Sequence, residues 1–301
     1  MKPHRFYSVL LSILFPLISQ LPLAADEGGS PDFEKLEMKA AEGDALAQFL
    51  VGKAYYTGAG VPQDYAKAAE FYRQSAVQGN PKAQHNLGTM YGKGLGVPQN
   101  DEESAQWIRK AASQGAALAQ DALGVMFVKG IGVQKDAKAA AHWYLKAAEQ
   151  GLPEAEFHLG QLYLLGNVDF EKNYGEAVKW LGKAAAQGKA EAQNGLGVMD
   201  EYGFGVKPDP KTAFQWYLKA AQQGEPRGQS NVGRCYAEAI GVEKNKVEAC
   251  KWLILSADQG EITAINYYTA FKMGLTPDEL AAAKKLASDF LLKKTQITPS
   301  R

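Results

Sequence analysis

The sequence contains few cysteines and no excess charge of either sign. Only two of its 301 residues are cysteine, which excludes the small folds that depend on several disulfides. The 33 Lys and Arg residues equal the 33 Asp and Glu residues, so overall charge gives no reason to expect a nucleic acid or an acidic membrane surface as partner. Apolar and aromatic residues run through the whole chain, which excludes disorder as its main state.

Residues and motifs that would support catalysis or metal binding are also scarce. No Ser-x-x-Lys motif occurs, which removes the nucleophile of serine-type β-lactam enzymes. Beyond residue 25 the histidines are His85, His142 and His158, which are not spaced for one zinc ion and are expected at the surface or between helices. No phosphate-binding loop is present. We therefore expect no catalytic residue, no cofactor and no metal.

The first 25 residues have the pattern of a secretory signal peptide. Lys2 and Arg5 precede an apolar stretch that ends in Ala24 and Ala25. The alternative, a membrane anchor, is disfavoured because the stretch is barely long enough to span a bilayer and Pro16 interrupts it. The sequence predicts export, to the bacterial periplasm or the medium, with no integral membrane span after cleavage.

A glycine recurs every 36 residues, with one step of 37, and divides the chain into repeats. These glycines are Gly43, Gly79, Gly115, Gly151, Gly188, Gly224 and Gly260. They define six tandem repeats between a segment 26–43 and a segment 261–301. The repeats are 44–79, 80–115, 116–151, 152–188, 189–224 and 225–260.

Three columns of the aligned repeats have an evident structural role. An aromatic column, predicted to be a buried anchor, contains all five tryptophans: Phe71, Trp107, Trp143, Trp180, Trp216 and Trp252. An internal glycine, predicted to let two helices approach closely, occurs at Gly52, Gly88, Gly124, Gly160, Gly197 and Gly233. An Asp or Asn, predicted to cap a helix, occurs at Asp64, Asn100, Asp136, Asn173, Asp209 and Asn245.

A Gly-x-Gly-Val turn between the last two columns separates a first helix, A, from a second helix, B. The complete motif occurs at residues 58–61, 94–97, 130–133 and 203–206. The fourth copy departs from it after Gly166, and the sixth has Ala239 at the first glycine.

Residues 44–260 resemble the Sel-one-like repeat family, relatives of the tetratricopeptide repeat. The copy Ala119 to Gly151 reads Ala-x-x-x-Leu-Gly, then Gly-x-Gly-Val-x-x-Asp, then Trp-Tyr-x-Lys-Ala-Ala-x-Gln-Gly. The resemblance implies an all-α right-handed superhelix, an α-solenoid of 36–37-residue helix-turn-helix repeats, used as a scaffold for protein complexes in bacterial envelopes. Periodicity alone also favours a solenoid, because one helical hairpin cannot bury its apolar face without neighbours.

Both ends of the array contain a predicted capping helix. Residues 31–42 imitate the end of a helix B, and residues 261–273 read as a seventh helix A. Thr276, Pro277 and Glu279 form a capping-box signature that opens a final helix to about Lys294, the expected lid of the array.

A candidate binding surface follows from positions of helix A that vary in chemistry but share one face. We take the residues three before, one after and four after the internal glycine and call them the predicted stripe. Its candidate partner-binding residues are Phe49, Lys53, Tyr56, His85, Thr89, Asp121, Val125, Phe157, Gln161, Asn194, Val198, Glu201 and Arg234. The resemblance implies that A helices line a concave groove. Phe49, Tyr56 and Phe157, expected to be exposed, favour a protein or peptide ligand. The alternative is a solvated face with some packing between repeats.

Two irregular features have more than one interpretation. Asp200 interrupts a column of aromatic residues, where it and Glu201 either receive a basic partner or are compensated by Tyr202 filling the gap. Cys235 and Cys250 are predicted to lie level on the two helices of the sixth repeat, where they form a disulfide or remain two buried thiols.

The sequence thus favours an exported scaffold or adaptor that binds a protein or peptide without catalysis, alone or within an envelope complex. The alternatives are a cell-wall or β-lactam-related hydrolase, which lacks an evident nucleophile, and a secreted factor that acts on a host.

Overall fold

A computed structural model of the chain describes residues 31–297, which fold into fifteen α helices and one short 3-10 helix. The predicted signal peptide, residues 1–25, lies outside the described residues. The six A helices are α2 (Ala45–Thr57), α4 (Pro81–Lys93), α6 (Ala117–Lys129), α8 (Pro153–Leu165), α10 (Ala190–Tyr202) and α12 (Pro226–Glu238). The six B helices are α3 (Tyr65–Val77), α5 (Asp101–Ser113), α7 (Ala137–Glu149), α9 (Tyr174–Ala186), α11 (Pro210–Gln223) and α13 (Lys246–Ala257). The ends are formed by α1 (Pro31–Ala41), α14 (Ile262–Phe271), a 3-10 turn (Lys272–Gly274) and α15 (Pro277–Ile297).

Every B helix begins at the predicted Asp or Asn cap. The Asp136 carboxylate, for example, accepts a hydrogen bond from the Ala139 backbone N–H at 2.8 Å. The five equivalent side chains accept from the first turn of their own helices in the same way. Because a capped N–H group keeps a partner when the helix forms, this column fixes where helix B starts.

The internal glycines bring helix A against its own helix B, as predicted. A Cβ atom at Gly124 would lie 2.5 Å from the Tyr144 ring, and one at Gly197 would lie 2.5 Å from the Tyr217 ring. The other four glycines face Tyr72, Ile108, Leu181 and Leu253 in the same way. The missing side chain is therefore a condition for the A–B contact in every repeat.

The aromatic column is only partly buried, which corrects the expectation of a uniformly buried anchor. Trp107, Trp180 and Trp252 are buried, whereas Trp143, Trp216 and Phe71 are half-buried. Trp180 packs in a cluster with Tyr144 and Leu159 of the preceding helices, so this column joins successive repeats. In five repeats a lysine ammonium lies over the tryptophan ring, as Lys110 does over Trp107 at 3.9 Å. A lysine at the edge of the core covers the part of the ring that solvent would otherwise reach.

A column of buried glutamines, which the sequence analysis missed, links each repeat to the one before it. The Gln84 amide donates to the Ala76 carbonyl in the preceding B helix at 3.0 Å and accepts from Gln114 at the end of its own B helix at 2.8 Å. Gln120, Gln193 and Gln229 do the same, and Gln48 donates in the same way to Ala40 in α1. In the fourth repeat Glu156 takes this position and accepts from Gln187. The signal was present in the sequence as a Gln or Glu four residues before every internal glycine.

The turn between helix A and helix B contacts the preceding repeat. The first glycine of each Gly-x-Gly-Val turn ends helix A with a positive φ, and Ala239 adopts the same conformation in the sixth repeat with φ of 60°. From the second repeat onward, the second glycine of the turn has no room for a side chain: a Cβ at Gly132, for example, would overlap the carbonyl oxygen of Asp101 in the preceding repeat, whereas Gly60 in the first repeat has open space around it. The fourth copy instead forms a short turn that is closed by a bridge between Asn167 and Phe170.

In the second half of the array, successive A helices lie close to one another. Helices α8, α10, α12 and α14 contact one another in sequence, whereas successive B helices in the described part of the chain make no comparable contact.

The last helix does not pair with the seventh A helix as a B helix would. The capping box forms as predicted, with Thr276 and Glu279 exchanging hydrogen bonds. Helix α15 then packs on α13, where the Phe290 ring meets Trp252 at 5.2 Å. Thr269 occupies the internal-glycine position of α14, so this helix lacks the glycine that all six complete repeats have.

Candidate functional site

The predicted stripe is less accessible than its chemistry indicated. Asp121 and Asn194 are buried, and the other candidate residues on it are half-buried. The three aromatics that were expected to be exposed pack into the core: Phe49 and Tyr56 lie against Tyr72, with ring centroids 5.8 and 6.4 Å from it, and Phe157 packs in the cluster around Leu181. Their roles in partner binding stay predictions, but they are not free anchors.

Several residues of the stripe are paired across neighbouring repeats. His158 Nδ1 lies 2.7 Å from the Asp121 carboxylate, and the Asn231 amide donates to Asn194 at 2.8 Å. Between the fifth and sixth repeats the Arg234 guanidinium binds both oxygens of Glu201, at 2.8 and 2.6 Å. The variation along the stripe therefore reflects, in part, a changing set of contacts between A helices.

Electrostatics around Glu201 and His85 follow from this packing. Burial acts to raise the pKa of Glu201, but hydrogen bonds from Arg234 and Tyr217 outweigh it and hold the pKa below its ordinary value. Burial lowers the pKa of His85 to about 4 against the opposing charge of Asp121, so this imidazole is neutral at pH 7. Its Nδ1 is buried without a hydrogen-bond partner.

The face of the A helices that meets solvent is rotated from the predicted stripe by about one residue position. It consists of the residues six before, two before, one after and five after the internal glycine, which we call the exposed A stripe. Lys53, Thr89, Val125, Gln161, Val198 and Arg234 belong to both stripes. The exposed large apolar residues on the new stripe are Leu46 at 61%, Leu50 at 37%, Leu118 at 53%, Leu165 at 66% and Tyr202 at 58% exposure.

Asp200 has a local structural partner. Burial and the nearby charge of Asp209 raise the pKa of Asp200 above its ordinary value, and an interaction with the Trp216 side chain opposes that shift. Tyr202 does not fill the gap in the aromatic column, since it is exposed and stacks on Phe204 at 5.9 Å. Of the two acidic residues, Asp200 thus interacts with Trp216 and Glu201 with Arg234.

Cys235 and Cys250 are both buried and are free in the structure, and a disulfide between them in an oxidising compartment stays a prediction. Burial raises the pKa of the Cys235 thiol to about 12 and that of Cys250 to about 11. Both side chains are therefore protonated at neutral pH and act as small apolar groups in the core.

The described part of the chain brings together no group of three or more His, Cys, Asp or Glu side chains that would hold a metal ion. None of its helices is both long and apolar enough to cross a bilayer. What residues 31–297 offer is a long face of mixed apolar and charged side chains, a geometry suited to holding an extended partner.

Comparisons with known proteins agree with this architecture. A family model of the Sel1 repeat matches residues 45–80, 81–115, 117–152, 153–189, 190–225 and 226–261. A solved Sel1 repeat protein from Oxalobacter formigenes is 35% identical, with 80% of this chain and 96% of that chain covered and a TM-score of 0.70. A protective antigen with an SLR fold, present in uropathogenic Escherichia coli strains, is 29% identical, with 89% and 74% covered and a TM-score of 0.40. A search of curated proteins gave no match.

Proposed function

The chain belongs to the Sel1 repeat family, whose members are generally protein-interaction scaffolds, and from that premise we propose that it is an exported scaffold that binds a protein or peptide on its exposed A stripe. The proposal includes no catalytic step. It places the partner along the inner face of the solenoid and the chain in the periplasm or the medium.

The observation that carries this proposal is the row of exposed apolar side chains on one face. Leu46, Leu118, Leu165 and Tyr202 belong to four different repeats yet lie on the same stripe, and each is more than half exposed. Single exposed leucines are ordinary, but an aligned series of them typically marks an interaction surface. A long partner would cover them together.

A binding experiment with matched variants tests the proposal. Leu118→Gln combined with Tyr202→Ser should reduce co-purification of the cross-linked native partner by about tenfold, since each removes a buried apolar contact of the complex. Val77→Gln combined with Val168→Gln is the control, because Val77 and Val168 are exposed at 68% and 100% but lie outside the stripe.

Both double variants should melt within a few degrees of the parent protein. Equal loss of partner in the two variants, or a partner retained by both, would refute the stripe as the binding surface. Export is tested separately: a mature protein found outside the cytosol that begins after Ala25 supports it, and a cytosolic protein with an intact N-terminus contradicts it.

A further inference from the structure

The exposed A stripe differs in charge between its two halves. In the first three repeats its charged residues are all lysines: Lys53, Lys82, Lys93 and Lys129. In the last three repeats the stripe carries both signs: Glu154, Glu191, Arg227, Arg234 and Glu238. No Asp or Glu occupies a stripe position in the first three repeats, although the chain as a whole has equal numbers of acidic and basic residues.

In the last three repeats, most of the charged side chains on the exposed A stripe have partners within the protein. Lys189 lies between Glu154 and Glu191, at 3.8 and 3.4 Å, and Arg234 is bound by Glu201. Lys53, Lys82 and Lys129, by contrast, form no ion pair with any carboxylate among residues 31–297. These three ammonium groups are available to an external anion.

Apolar side chains are interleaved with these lysines. Leu46 and Leu50 are exposed in the first repeat and Leu118 in the third, where Val125 is half-buried between Leu118 and Lys129. Leucine side chains gain nothing from a phosphate backbone, whereas they contribute binding energy when a protein segment covers them. The mixture of leucine and lysine thus favours a protein ligand over a nucleic acid.

We propose that the first three repeats dock an acidic amphipathic segment of a partner protein, with its carboxylates on Lys53, Lys82 and Lys129 and its apolar side chains on Leu46, Leu50 and Leu118. This inference rests on the proposed scaffold function and specifies the chemistry of the partner. Charge complementarity sets orientation and association rate, and the leucine contacts supply most of the affinity.

Two fluorescein-labelled peptides of equal length test this chemistry by fluorescence anisotropy. Both have leucines spaced for one face of a helix; one has glutamate and the other lysine at the polar positions. The full mature protein should bind the glutamate peptide at least about tenfold more tightly than the lysine peptide, and added salt should reduce that difference.

Charge-reversal variants locate the site. Lys53→Glu combined with Lys129→Glu should weaken binding of the glutamate peptide by about tenfold or more, which at 25 °C is about 1.4 kcal/mol. The control is Lys138→Glu combined with Lys244→Glu, which makes the same change of charge at two exposed lysines outside the stripe. Circular dichroism melting of both variants establishes that they remain folded.

Three results would overturn the inference. They are no preference for the glutamate peptide, equal binding by the two double variants, or tighter lysine-dependent binding of a DNA duplex or of anionic lipid vesicles than of the peptide. If the native partner is lost in Leu165→Gln with Tyr202→Ser but not in Lys53→Glu with Lys129→Glu, the scaffold function stands and only this inference fails.

Discussion

A single residue, Glu156, departs from the glutamine column that joins the repeats. It is 3% exposed and accepts a hydrogen bond from Gln187 at 2.8 Å. The glutamines at this position in other repeats also donate to a carbonyl of the preceding B helix, and a carboxylate has no N–H group with which to do so. Burial raises the pKa of Glu156, against the opposing effects of Gln187 and Lys183.

This environment predicts a pH-dependent stability that Glu156→Gln removes. Because the folded state raises the pKa of Glu156 above its ordinary value of 4.5, the stabilising contribution of the neutral acid is complete below that value and is lost as pH rises through the folded-state pKa. The parent and the variant should have similar free energies of unfolding near pH 4, and the variant should be more stable by about 1 kcal/mol at neutral pH. Urea unfolding at several pH values measures both, and a constant difference across pH would refute the assignment.

At the scale of the helix, the sequence predicted the elements well and the accessible face less well. The Asp and Asn caps and the internal glycines each act within one repeat, so their roles follow from local rules. Exposure of the A helix depends on its own helix B and on the two flanking repeats. Asp121 varies from its equivalents because it meets His158 of the next repeat, and Phe49 is covered by Tyr72. No periodicity in one helix contains that information.

The glutamine column shows a second limit of prediction from the sequence. The sequence shows that Gln84 belongs to a column of glutamines, but glutamine is ordinarily a surface residue. Its burial becomes evident only in the structure, where Ala76 and Gln114 are its hydrogen-bond partners. The sequence likewise did not show which helix the predicted lid would contact, because the packing of α15 on α13 joins residues far apart in the chain, such as Trp252 and Phe290.

Two glycine variants test the contact between paired helices. Gly197→Ala places a methyl group against the Tyr217 ring and should destabilise the protein by about 1–3 kcal/mol. Gly182→Ala is the control, because Gly182 lies in helix α9 with no atom near the position of an added Cβ, so the substitution should stabilise by up to about 1 kcal/mol. Chemical denaturation distinguishes the two. Equal effects of both substitutions would mean that the internal glycines are not packing positions.

At the scale of the whole molecule, the repeats form one continuous stack whose units contact only near neighbours. Such a stack has no central cavity, and its natural binding site is a face that spans many repeats. In this chain that face combines aligned apolar residues with Lys53, Lys82 and Lys129, which form no ion pair within residues 31–297. A partner that contacts both the apolar residues and the lysines would lie along α2, α4 and α6.

Site-specific photo-crosslinking in living cells tests the central claim, that the A helices hold another protein. A photoreactive residue placed at Leu50, Leu118 or Tyr202, all on the exposed A stripe, should form a discrete crosslinked product with a partner. The same residue at Val77 or Leu145, exposed on B helices, should not. Products from the B-helix positions with none from the stripe would contradict the account.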